Sequence, residues 1–62
     1  MTTKELAEKI KIGLSKSEII FWYHVLMIDN EMTLVNNAII DRFNRPELVK
    51  IERSAEKMRA GY

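Results

Sequence analysis

Ile19-Ile20-Phe21-Trp22-Tyr23-His24-Val25-Leu26-Met27-Ile28 is the stretch on which the fold turns. Ten residues run without a formal charge, and nine of them are apolar or aromatic. β-Branched and aromatic residues favour strands, and periodicity alone does not separate a short apolar strand from a buried helix. The flanks favour helix. Ser15-Lys16-Ser17-Glu18 has the spacing of a capping box, with Ser15 accepting from the Glu18 N–H and Glu18 reaching back to the Ser15 N–H. A cap directly before an apolar run marks a helix start. No Gly or Pro lies between Leu14 and Arg45. The predicted helix runs from about Ser15 to Asp29, and a hairpin turning at Asp29-Asn30 is the alternative.

At 100° per residue this run covers every side of a helical wheel. A helix that is apolar all round is expected to be buried all round. It is too short to span a bilayer, which takes about 20 apolar residues. A chain of 62 residues has few other elements with which to surround it. Part of its surface is therefore expected to meet a second copy or another protein, with Phe21, Trp22, Tyr23, Leu26 and Met27 as the anchors, because aromatic side chains dominate interface energetics. Four methionines suit an adaptable surface.

Outward from the run, the composition bounds the rest. One domain spanning residues 1–62 is expected, of a size at which many domains need a staple or an oligomer. There is no cysteine and one histidine, which excludes disulfides and thiolate sites and leaves no set for a conventional zinc centre. The start, Met1-Thr2-Thr3-Lys4-Glu5, carries no apolar signal region, and a cytoplasmic protein is expected. Apolar residues at 47% and charged residues at 31% are a globular balance. The net charge is +1, without the marked basic excess of most nucleic-acid binders.

Upstream, Thr2-Thr3-Lys4-Glu5 offers another capping box, and a helix is predicted over Thr3–Ile12 with Leu6, Ala7 and Ile10 as its apolar stripe. Gly13 is its stop, and Leu14 can staple onto Ile19. The segment Thr3-Lys4-Glu5-Leu6-Ala7-Glu8-Lys9-Ile10, then Gly13-Leu14-Ser15-Lys16-Ser17, resembles the helix-turn-helix of bacterial repressors over residues 3–20. That resemblance implies a DNA-reading second helix. The sequence departs from the pattern in two respects: Lys11-Ile12 delay the glycine, and the second helix offers Lys16 and Ser17 followed by Ile-Ile-Phe-Trp-Tyr, where base readout needs Arg, Lys, Asn, Gln or Ser.

Downstream, a third helix is predicted over about Thr33–Phe43, capped by Thr33 or Asn30, with Leu34, Val35, Ala38, Ile39, Ile40 and Phe43 as its apolar set. Asn44-Arg45-Pro46-Glu47 is the clearest boundary. Pro46 is expected at the first position of a fourth helix running to about Arg59. Leu48, Ile51, Ala55, Met58 and Tyr62 fall within about 80° of one another on that helix, a seam whose Leu48, Ile51 and Met58 are further interface candidates. Lys16, Arg42, Arg45, Arg53 and Arg59 are the residues that could touch phosphate.

His24 has no acid three or four residues away, so a packed histidine bonded to a backbone carbonyl is expected rather than a general base. No phosphate loop, nucleophile elbow or Ser–His–Asp set is present. Catalysis, a cofactor, a metal, a membrane and a small-molecule substrate are not expected. The predicted fold is all-α, a small bundle of three or four short helices around a fully apolar central helix. The expected function is that of a small non-enzymatic regulatory protein which binds itself, as a homodimer, or a larger protein through apolar helical surface. The alternative is a compact helix-turn-helix-like transcriptional regulator that binds DNA as a dimer.

Overall fold

A computed structural model of the chain describes residues 1–61. It is all-helical: α1 spans Thr3–Ile12, α2 Lys16–Leu26, α3 Thr33–Arg42 and α4 Arg45–Arg59. The hairpin alternative is overturned, since no strand forms among the described residues. Tyr62, placed on the α4 seam from sequence, lies outside them.

Local chemistry accounts for each boundary. Thr2 caps α1 in a complete capping box with Glu5. Gly13 closes it at φ 135°, and both the Gly13 and Leu14 N–H groups donate to the Lys9 carbonyl at 3.1 Å, a five-to-one and a six-to-one bond that satisfy it at the helix end. Only glycine takes that backbone conformation without strain. At α2, the Glu18 N–H donates to Ser15 Oγ at 3.4 Å. The return arm of the box differs from expectation: Glu18 Oε1 accepts from the Ser15 hydroxyl at 2.8 Å, so the carboxylate pins the capping side chain itself. α2 stops at Leu26, short of Asp29, and the Asn30 amide donates to the freed Leu26 carbonyl at 3.1 Å. Asn30 is thus used at the end of α2 and neither it nor Thr33 caps α3. Met32 holds the cap position without a side-chain bond. Glu31 substitutes, its carboxylate accepting from the Thr33 N–H at 2.8 Å and from the Thr33 hydroxyl. Those two bonds hold the Glu31 carboxyl below its ordinary range. Pro46 sits at the second helical position rather than the first, behind Arg45, with Asn44 Oδ1 accepting from the Glu47 N–H at 2.8 Å.

α1 packs chiefly on α3, and α2 on α4; α3 against α4 joins the two pairs, and α1 touches α2 least. The core is shared evenly. Leu6, Ala7 and Ile10 come from α1, Ile19, Tyr23 and Leu26 from α2, Val35, Ala38 and Ile39 from α3, and Leu48, Ile51 and Ala55 from α4. Three residues from each helix means that no helix is central. The expectation of a helix buried all round is corrected on this point: α2 turns one side inward, and its opposite side is exposed.

One polar group enters this core. The Tyr23 hydroxyl lies 2.7 Å from Asn36 Oδ1 on α3 and 3.2 Å from Glu52 Oε1 on α4, so one phenol ties three helices. Its single proton serves two acceptors. Burial, and then the neighbouring Glu52 carboxylate, raise the Tyr23 phenol well above its ordinary value near 10. The sign follows from linkage: a proton held more tightly in the folded state leaves stability intact below about pH 10 and removes it as pH climbs toward the folded value. Tyr23→Phe is expected to cost about 1–2 kcal/mol at neutral pH and to flatten the alkaline decline. Chemical denaturation at neutral pH and above pH 10 measures both, and an unchanged alkaline slope would remove the phenol from the account.

Candidate functional site

Ile19, Tyr23 and Leu26 define the inward side of α2. At 100° per residue, Phe21, Val25 and Ile28 lie on the opposite side, Ile28 in the turn that continues the helix. They are 47%, 42% and 53% exposed. Phe21 and Val25, four residues apart, share one stripe of the helix, and Ile28 follows in the turn past its end. Phe21 is braced by its neighbours: its ring meets Trp22 edge-on at 5.3 Å between centroids and His24 at 5.1 Å. The His24 Nδ1–H donates to the Phe21 carbonyl, the backbone bond expected of it, with the ring half-buried rather than in the core. Such bracing leaves fewer rotamers for Phe21 to lose on contact with another surface.

The polar surroundings of the stripe are acidic. Glu18 is exposed and lies about 20° from Val25 on the wheel, while Asp29 follows Ile28 and is also exposed. Residues 17–41 contain Glu18, Asp29, Glu31 and Asp41 and no lysine or arginine. All ten basic residues lie before or after that segment. A shallow cleft between α2 and α4, lined by Ser17, Ile20, Ser54, Lys57 and Met58, reaches toward the stripe at Ser17, one helical turn before Phe21.

The predicted interface residues are divided by the structure. Phe21 and Met58 are exposed, on different helices, and Trp22 and Met27 are half-buried against the core. Tyr23, Leu26, Leu48 and Ile51 are buried within the chain's own core, which corrects their assignment as surface anchors. The α4 seam is the side of that helix turned to the core, and its surface end is Met58. Val25 and Ile28, exposed beside Phe21, are not among the residues that the sequence singles out. Their position opposite Ile19, Tyr23 and Leu26 was the available signal.

The candidate phosphate contacts are equally divided. Lys16 Nζ bonds Glu47 Oε2 at 2.9 Å and lies 5.1 Å above the Phe43 ring. The hydrogen bond from Lys16, with smaller help from its charge and that of Lys50, holds the Glu47 carboxyl below its ordinary range. Arg42 also stands over Phe43, at 4.7 Å, and its guanidinium donates to the Ile10 carbonyl at 3.1 Å and to the Leu14 carbonyl. Arg42 therefore seals the end of α1 onto α3, and Phe43 is the platform beneath both cations. Arg42→Ala is expected to cost about 1.5 kcal/mol, by stranding two carbonyls, in a denaturant titration. A loss below about 0.5 kcal/mol would mean that water replaces the guanidinium at no cost. Arg45, Arg53 and Arg59 are exposed, and among the described residues the ion pairs are those of Glu47 with Lys16 and with Lys50.

Among the described residues, no cluster of His, Asp or Glu is arranged to hold a metal ion, and no helix is long and apolar enough to cross a membrane. Comparison of the chain with protein-family models, with characterised proteins and with solved structures finds no match in any of the three.

Proposed function

We propose that the chain is a small non-enzymatic interaction protein that works by presenting the outer face of α2 to a protein. The observation that carries this reading is the exposed stripe Phe21, Val25 and Ile28 on a helix whose other side is committed to the core. Isolated apolar side chains on a surface need no explanation. Ile12, Leu34 and Val49 are of that kind, each on a different helix. Three apolar residues in register, led by a braced aromatic ring, form a ready docking strip for a helix or a hydrophobic groove.

The DNA-binding alternative draws less support. Base readout by α2 would place Phe21, Val25 and Ile28 against a polyanion, with Glu18 and Asp29 repelling it. Lys16 and Arg42, two of its five candidate contacts, are already engaged within the fold. Little binding to duplex DNA is expected, whereas a DNA regulator would bind at low salt and weaken steeply as salt rises.

The test is site-specific photo-crosslinking in cells that express the chain. A photoreactive amino acid is placed at position 25 and, as a control, at Asn37, an exposed polar position on α3. The expected result is a discrete protein adduct from position 25, to a second copy or to another protein, absent from position 37 and lost on Phe21→Ser. Diffuse labelling that is the same from both positions overturns the reading.

A further inference from the structure

The outer face of α2 also says what kind of surface it fits. We infer that it docks an amphipathic helix of another protein whose apolar stripe is bordered by lysine or arginine, and that a second copy of this chain is not its occupant. The inference rests on the docking role proposed above for the same face.

Charge and area lead to it together. Three side chains, each about half exposed, offer on the order of 250 Å² of apolar surface. A stable interface buries about 800 Å² on each side, so the rim must join the contact. That rim is acidic at both ends of the stripe, Glu18 before it and Asp29 after it. In a two-fold pairing of α2 with α2 of a second copy, the interface is self-complementary and the helices run antiparallel or cross. An antiparallel pair brings Glu18 of one copy toward Asp29 of the other, at both ends of the contact. Neither acid is neutralised within its own chain, since among the described residues the ion pairs are those of Glu47 with Lys16 and with Lys50. Like charges placed opposite one another in a contact oppose association.

A helix with a cationic border removes the conflict. Its apolar stripe, repeating at three and four residues, meets Phe21, Val25 and Ile28. Its lysines or arginines meet Glu18 and Asp29, and long basic side chains lay their aliphatic stems along the apolar strip while the charge reaches the carboxylate. An anionic membrane and a nucleic acid lack this match, because both present negative charge to an acidic rim. Glu18 is also presented in a fixed place, since the Ser15 hydroxyl holds its carboxylate at 2.8 Å.

The experiment titrates the full chain with three synthetic helical peptides that lack tryptophan, reading the emission of Trp22, the chain's one tryptophan. One peptide has a leucine stripe bordered by lysines. The second has the same stripe bordered by glutamates. The third has the composition of the first with the stripe scrambled. The lysine-bordered peptide is expected to bind about tenfold more tightly than either of the others. The Glu18→Lys, Asp29→Lys double variant should reverse the preference between the first two, and Phe21→Ser should weaken both. All of these positions are exposed, and far-ultraviolet circular dichroism verifies the fold of each variant. Equal binding of the lysine- and glutamate-bordered peptides, weakened by Phe21→Ser, overturns the charge inference and leaves the docking role standing. So does a dimer seen by light scattering at micromolar concentration and abolished by Phe21→Ser. Absence of any binding, in a chain that is monomeric throughout, overturns both.

Discussion

Ile39→Ala is expected to lower the unfolding free energy by about 3–4 kcal/mol. Ile39 is 0% exposed and belongs to α3, the helix that packs on both α1 and α4. Its side chain is part of the single core to which all four helices contribute. Truncation removes apolar area from burial and leaves a void that the surrounding core must close. A domain of this length has a total stability of only about 3–9 kcal/mol, so the variant is expected to be partly or wholly unfolded at ambient temperature. Denaturant titration followed by circular dichroism supplies the number. Leu34→Ala, one position on the surface of the same helix, is the control and should cost less than about 0.5 kcal/mol. A loss below about 1 kcal/mol for Ile39→Ala would show that the junction between the two helix pairs does not bear the fold's stability.

Why α3 holds that position was hard to read from sequence, and the difficulty is physical. Helix starts are local events: a side-chain oxygen three residues before a free N–H is visible in the chain itself. Thr2 and Ser15 were legible for that reason, as were the stop at Gly13 and the break before Pro46, whereas the cap at Asn44, one residue earlier than Pro46 at the first position implies, was not. Which side of a helix faces inward is a tertiary property. α4 shows one apolar side, and Leu48, Ile51 and Ala55 were recognisable as a group, but whether that side meets the chain's own core or another protein is not written in α4 alone. α2 shows no such side, because Ile19 through Val25 are apolar in every direction apart from His24. With no polar residue to mark the outside, the sequence does not separate Phe21, which is exposed, from Tyr23, which is buried and bonded to Asn36 and Glu52. Arg42 misled in the same manner. An arginine at the end of a helix beside an aromatic reads as a free cation until the fold brings the Ile10 and Leu14 carbonyls, about thirty residues away in sequence, under its guanidinium.

Ala55→Leu tests the seam of α4 from the opposite direction, by adding volume where Ile39→Ala removes it. Ala55 is 0% exposed and stands one helical turn after Ile51 on the inward side of α4. An alanine at that place lets the α4 backbone approach its neighbours closely, since helix separation depends on the side chains at the contact. Three further carbons have nowhere to go without moving a helix or forcing a side chain off its rotamer, and a cost of about 2–3 kcal/mol is expected. α4 is held at its start by Asn44 and by Lys16 on Glu47, and midway by the Tyr23–Glu52 contact. Its C-terminal half has no such tie to α2 among the described residues. The displacement should therefore open the α4 end around Met58 and the cleft it shares with Ser17 and Ile20, rather than the end at Pro46. Amide hydrogen exchange would resolve this, with faster exchange expected from residues 55–60 than from 47–51 relative to the parent chain. The outer stripe of α2 lies opposite its buried residues Ile19, Tyr23 and Leu26, so Phe21, Val25 and Ile28 should keep their exposure in the variant. Stability would then fall while affinity for the lysine-bordered peptide is retained under conditions where the fold persists. Loss of both together would place the docking face and the α2–α4 seam in one cooperative surface, and the stripe could no longer be treated as independent of the core behind it.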